Sequence, residues 1–122
     1  MGYDIHIVKT EDWQNAASDP VTKAEVDRVI AADKDLQWSQ TDYMEMVEAN
    51  GEKLRFPAIL WQKAPTFYWF GNEITCSDPS EEQIMKMIDL AELIKANVIG
   101  DDGEVYRIKK NLFGKRTLVW KG

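Results

Sequence analysis

Apolar and polar residues alternate at the start of the chain. Tyr3, Ile5 and Ile7 are interleaved with Asp4 and His6, the two-residue period of a strand over Tyr3–Lys9. Thr10 to Pro20 is polar and rich in turn formers, with Trp13 as its one large apolar residue. The period then changes: Val26, Val29 and Ile30 fall at i, i+3 and i+4, the buried stripe of a helix. Thr22 and Glu25 form a capping box at its start, Val21 and Val26 a hydrophobic staple, and the pattern ends at Asp33-Lys34-Asp35.

Alternation returns over Thr41–Glu48, with Asp42, Met44 and Met46 on one side and Tyr43, Glu45 and Val47 on the other. Asn50-Gly51 signals a turn. Leu54–Trp61 reads as a strand in which Pro57 marks a bulge or an edge, and Ala64-Pro65 as its break. The clearest hairpin joins Phe67–Phe70 to Glu73–Cys76 through Gly71-Asn72. A two-residue loop sets Phe70 opposite Glu73, Trp69 opposite Ile74, Tyr68 opposite Thr75 and Phe67 opposite Cys76. One face is then Phe67, Trp69, Ile74 and Cys76, wholly apolar and expected in the core; the other is Tyr68, Phe70, Glu73 and Thr75.

Asp78-Pro79-Ser80-Glu81 predicts the start of a longer helix, about 79–96, with a cap, a first-turn proline and first-turn acids. Ile84, Met87, Ile88, Ala91 and Ile94 make its stripe, Leu90 and Leu93 widen it, and Glu82 stands four residues before Lys86 as an ion pair. Val98-Ile99 then reads as a short strand, Gly100-Asp101-Asp102-Gly103 as a turn and Glu104–Ile108 as a strand. In the last segment, 107–122, Leu112, Phe113, Leu118, Val119 and Trp120 look like packing residues. The expectation is a hairpin turning near Phe113-Gly114-Lys115 and laid on the body of the protein. The whole reads as a single α+β domain: a mainly antiparallel sheet of five to seven strands with two principal helices, the longer packed on one face.

Charge sharpens this picture. The 122 residues carry a formal net −6, unevenly spread. The first 106 residues hold nine basic groups and all twenty-one acids, a formal −12; the last sixteen hold six basic groups and no acid, a formal +6. An acidic body repels nucleic acid, so no nucleic-acid partner is expected of it, and it speeds capture of basic proteins. The basic tail leaves a nucleic-acid adaptor as a weaker reading.

One cysteine excludes an intrachain disulfide and a multi-cysteine zinc site; one histidine excludes a histidine-rich metal site. No apolar run approaches the roughly 18 residues of a membrane span, so no membrane partner is expected. The N-terminus has neither the basic start nor the apolar run of a signal peptide, which makes the cytoplasm the expected setting. His6 and Asp4 share a strand face: they form either a base with its orienting carboxylate or part of a solvated surface. Cys76 precedes the helix cap but lies on the apolar hairpin face, where it reads as an inert core thiol. The Asp101-Asp102 turn has oxygens for a cation without the spacing of a calcium loop, and a tight turn alone accounts for its glycines. There is no phosphate loop, nucleophile elbow or paired-carboxylate motif. No catalytic residue, metal ligand or cofactor is therefore assigned. Five tryptophans and the run Phe67-Tyr68-Trp69-Phe70 concentrate aromatics, and Tyr68 and Phe70, rimmed by Glu73, have the make-up of binding anchors.

The opening Tyr3-Asp4-Ile5-His6-Ile7 and the late Gly100-Asp101-Asp102-Gly103-Glu104-Val105-Tyr106, with Pro79–Glu82 beginning the helix between them, resemble a group of small bacterial proteins of unassigned activity. Some members are similar to immunity proteins of polymorphic and contact-dependent toxin systems. The resemblance spans Tyr3 to Tyr106 and is specific at its two ends; the basic tail extends past it. It implies no catalytic residues and structural roles for the motif positions. The leading expectation is a cytoplasmic immunity protein that blocks the active site of a cognate, basic toxin domain. Its contacts would be Tyr68, Phe70 and Glu73, with Glu81, Glu82, Asp89 and Glu92 as electrostatic partners. The alternative is a small enzyme or metal-dependent ligand-binding domain using His6, Asp4 and the Asp101-Asp102 turn.

Overall fold

In the computed structural model, which describes residues 2–122, the strands are β1 (Asp4–Val8), β2 (Leu36–Val47), β3 (Lys53–Trp61), β4 (Ala64–Trp69), β5 (Ile74–Ser77), β6 (Asn97–Gly100), β7 (Val105–Lys110) and β8 (Arg116–Lys121). They form one antiparallel sheet in the order β2-β3-β4-β5-β1-β6-β7-β8. Two helices, α1 (Lys23–Ala31) and α2 (Glu81–Leu93), cover one face, and a 3₁₀ helix, Trp13–Ser18, sits on the other. The α+β class and the antiparallel sheet match the sequence reading. The strand count is eight instead of five to seven, because the two arms of the C-terminal hairpin pair with each other over six positions and join the sheet through β6 at Ile99–Val105.

The first strand is the central one. Ile5 pairs with Cys76 and Ile7 with Ile74 on β5, while β6 flanks the other side. Ile5 and Ile7 point to the helices and His6 and Val8 to the 3₁₀ helix, so four consecutive residues are buried. The hairpin faces fall as read: Trp69 pairs with Ile74 and Tyr68 with Thr75, and Phe67, Ile74 and Cys76 lie in the helix-covered core. Gly71 takes a positive φ of 85° at the first loop position, the backbone that a two-residue primed turn requires.

Both helices start with capping boxes, Thr22 with Glu25 and Ser80 with Gln83. The second helix is shorter than 79–96 because Ser80 is its cap. Pro79 lies outside it, and Asp78, with φ 47°, turns away to accept a hydrogen bond from the Tyr3 N–H at 2.9 Å. Ile84, Met87, Ile88, Leu90, Ala91 and Ile94 are buried, but Leu93 is 53 % exposed: the buried stripe runs on through Ala91 to Ile94, and Leu93 falls beside it on the solvent side. Lys86 pairs with Asp33 after α1 instead of with Glu82, which ties the two helices together.

Two turns escaped the sequence pattern. Ala64-Pro65 is no break: Gln62 and Lys63, both with positive φ, make a tight turn and the chain pairs again from Ala64. Pro57 does mark a bulge. The register between β2 and β3 jumps from Trp38–Ile59 to Tyr43–Pro57, and the Ser39 hydroxyl accepts from the Asp42 N–H at 2.7 Å in the extra loop. Beyond that bulge β3 has no β4 partner, since β4 pairs only with Ala58–Trp61.

The C-terminal hairpin turns where expected, with Gly114 at φ 80°, and Arg116 reaches Asp89 of α2 at 2.6 Å. Its apolar residues do not pack as expected. Only Leu118 is buried; Leu112 is 100 %, Phe113 95 % and Trp120 62 % exposed, and Val119 is exposed too. The reason is the layer order: α2 covers the side that bears Leu118 and Ile108, and no element lies beyond the tip.

Phe67→Ala is expected to cost about 3–5 kcal/mol of unfolding free energy, and Phe113→Ala less than about 0.5 kcal/mol, in urea titrations. Lys63→Gly relieves a left-handed backbone and is expected to stabilise by about 1 kcal/mol in the same assay.

Candidate functional site

His6 projects from the centre of the sheet onto the face opposite the helices, at 4 % exposure. The alternative of a solvated strand surface is therefore set aside for this residue. Its Nδ1 lies 2.5 Å from Glu73 Oε1 and its Nε2 2.8 Å from Asp101 Oδ1. The ring stacks on Trp13 with centroids 4.2 Å apart and planes 4° from parallel. Trp13 in turn donates from Nε1 to the Asp101 carbonyl at 3.3 Å. Asp101 is held by the backbone: its Oδ2 accepts from the Asp4 N–H at 2.8 Å.

Two carboxylates facing two ring nitrogens require two N–H donors, which only the imidazolium supplies. Burial works against that charge, but the hydrogen bonds to Glu73 and Asp101 outweigh it and raise the His6 pKa above 6.5. Burial likewise raises Asp101, while its hydrogen bonds from Asp4 and His6 prevail and hold it below the usual carboxylate range. With both nitrogens engaged, His6 has no lone pair free to take a proton from a substrate. In its protonated form it fastens the β4–β5 and β6–β7 turns to β1.

A second polar cluster lies at the other side of Asp101. Tyr3 and Tyr106 both donate to Glu104 Oε2, Tyr106 at 2.9 Å, and the Asp102 N–H donates to the Tyr3 hydroxyl at 3.0 Å. Burial and then the Glu104 carboxylate push Tyr3 up to about 12 and raise Tyr106 as well. Burial opposes ionisation of Glu104, yet the two tyrosine hydroxyls lower its pKa. The Glu104 carboxylate sits over Gly100, where an added Cβ would lie 2.4 Å from its carboxyl carbon, so a side chain at position 100 would push the carboxylate out of its place between Tyr3 and Tyr106. The two end motifs of the sequence are thus one connected network across β1, β6 and β7.

Beside His6 a trough of about 450 Å³ opens on the uncovered face. Phe70 and Thr75 line it from the sheet, and Met46, Leu54 and Phe56 from the part of the β2–β3 hairpin that has left the sheet. Phe56 and Phe70 meet edge to face at 5.4 Å. Asp4, Glu48 and Glu73 add negative charge.

Of the residues singled out beforehand, Phe70 and Glu73 line this trough, and Tyr68 lies half-buried on the same face beside Thr75. Glu81, Glu82, Asp89 and Glu92 belong to α2 on the opposite face; Asp89 is taken up by Arg116. His6 and Asp101 meet, whereas Asp4 sends its carboxylate to the Ser77 hydroxyl at 2.5 Å and Asp102 points to solvent. Cys76 is buried, and burial raises its thiol to about 11. No group of three or more metal-ligating side chains converges among the described residues. Glu104, part of the Gly100–Tyr106 motif, binds two tyrosines instead of a cation, and Trp13 and Met46 were missed. Their only signals were the isolation of Trp13 in a polar stretch and the alternation that set Met46 on the side of Met44. Compared with protein families, with curated proteins and with solved structures, the chain gives no significant match.

The pH dependence follows from the sign of the shift. A folded pKa raised above 6.5 contributes stability in full below pH 6.5 and loses it as the pH climbs through the folded value. The urea midpoint is expected to fall over that range, with a folded His6 titrating above 6.5 by NMR. His6→Gln is expected to abolish this slope and to cost about 3 kcal/mol at low pH, because Glu73 and Asp101 lose their shared counter-charge.

Proposed function

We propose that this chain is a bacterial immunity protein, which binds a basic cognate toxin domain in the cytoplasm and blocks its active site, and that it performs no reaction itself. The observation that carries this reading is the trough: an uncovered apolar lining of Phe56, Phe70, Leu54 and Met46 beside Asp4, Glu48 and Glu73. Aromatic anchors within a charged rim are the make-up of protein-binding hot spots. The formal −12 of the first 106 residues adds long-range attraction for a basic partner. The engagement of both His6 nitrogens supports binding over catalysis. The likeness of the Tyr3–Ile7 and Gly100–Tyr106 segments to immunity-type proteins points the same way.

Helix α2 offers a second acidic surface through Glu81, Glu82 and Glu92, on the other side of the molecule from Phe70. The trough is the face we assign to the toxin. The test is co-expression with the C-terminal domain of a large modular secreted protein encoded beside this chain, followed by titration of the purified pair. Rescue of growth is expected, with Phe70→Ala weakening binding about thirtyfold or more, and Met46→Arg weakening it through charge and bulk. Affinity unchanged by both variants would remove the trough from the interface. Failure to rescue growth would remove the immunity reading.

A ligand-binding or enzymatic reading has one observation in its favour: the trough volume lies in the range of small-molecule sites, and His6 stands on its wall. Turnover of a small compound, abolished in His6→Gln, would establish it.

A further inference from the structure

Two unpartnered apolar features of opposite charge sit at opposite ends of this sheet. One is the trough, where Asp4, Glu48 and Glu73 outnumber the single imidazolium of His6. The other is the tip of the β7–β8 hairpin, where Leu112 and Phe113 stand in solvent. Lys109, Lys110, Lys115 and Arg116 surround that tip, and the segment 107–122 contains no acid. The tip is firmly displayed: Asn111 Oδ1 accepts from the Phe113 N–H at 2.8 Å and the Lys115 N–H at 2.9 Å, and Gly114 donates to the Asn111 carbonyl at 3.0 Å.

One molecule cannot bring the two features together. Strand order places four strand spacings between β5, at the trough, and β8, roughly 19 Å at about 4.8 Å each, and the hairpin is held straight by six paired positions between its own arms, joined to β6 at Ile99–Val105, and tied to α2 by Arg116–Asp89. Leaving both exposed is unfavourable, since contiguous apolar surface is rare on an isolated chain. We infer that a second copy of this chain supplies the occupant: the basic Leu112-Phe113 tip of one molecule seats in the acidic trough of another. Two-fold exchange fills both troughs at once and closes the assembly as a dimer. Opposite charges bring tip and trough together, and the Phe113 ring meets Phe56 and Phe70. The same tip shows what chemistry the trough selects, an apolar side chain flanked by cations. The inference uses the trough of the proposed toxin interface, but its test contains no toxin, so either can fail while the other stands.

Light scattering and sedimentation over a range of protein concentrations at low salt are expected to show the mass rising from 14.1 kDa towards twice that value. Added salt weakens the association by screening. Leu112→Ser with Phe113→Ser, at sites with no packing to lose, is expected to weaken it by about tenfold or more. Single variants Met46→Cys and Phe113→Cys, mixed and oxidised, are expected to form the mixed disulfide in preference to either symmetric one. A monomer mass at every concentration would overturn the inference, as would self-association that survives the double serine variant. Binding of the monomer through its tip to vesicles containing anionic lipid, with no dimer formed, would likewise overturn it and assign the tip to a membrane surface.

Discussion

His6 lies on the central strand, and each of its ring nitrogens meets a carboxylate from a different turn, Glu73 before β5 and Asp101 after β6. An imidazolium so placed does what no apolar residue can do there. It neutralises two acids that would otherwise repel across β1, and it fixes both turns relative to the strand between them. Trp13 stacks on the ring and shields it from water, which strengthens the attraction and also anchors the 3₁₀ helix. The uncovered face is thus divided. One side is closed by Trp13 and Ala16 over Val8 and Ile99; the other remains open as the trough.

The trough is open for a reason set in the β2–β3 hairpin. The bulge between Trp38 and Tyr43 lets the distal ribbon depart from the sheet just where β4 stops pairing. Met46, Leu54 and Phe56 then face Phe70 and the His6 clamp across a gap, instead of continuing a flat sheet. Helices cover the centre of the opposite face, and much of the apolar surface left outside the core lies at this gap and on the C-terminal hairpin.

Local chemistry was legible in the chain. The Thr22–Glu25 capping box, the Ile84–Ile94 stripe and the division of Phe67–Cys76 into two faces depend on neighbours within a turn or a hairpin, and each is found. What was not legible depended on distance. Nothing near Tyr3–Lys9 says that its partners are β5 and β6, so Glu73 and Asp101 did not declare themselves as the neighbours of His6, 67 and 95 residues away. The Gln62-Lys63 turn was hidden because neither residue favours a positive φ; pairing on both sides imposes it. The tail misled for another reason. Apolar residues at a hairpin tip look like packing residues in sequence, and only the layer order shows that nothing covers Leu112 and Phe113.

The strand order also bears on how the chain acquires its shape during synthesis. β1 precedes the other strands in chain order and lies inside the sheet, yet both of its neighbours lie beyond residue 73, at Ile74–Ser77 and Asn97–Gly100. Until those emerge, Ile5, Ile7 and Val8 have no ladder to join, and the early β2–β3–β4 meander is the only sheet that can nucleate. Closure of such long loops is entropically slow. The burial of Ile5, Ile7 and Val8 is therefore a late event, reached only when strands on both sides of the polypeptide's longest excursion are in place.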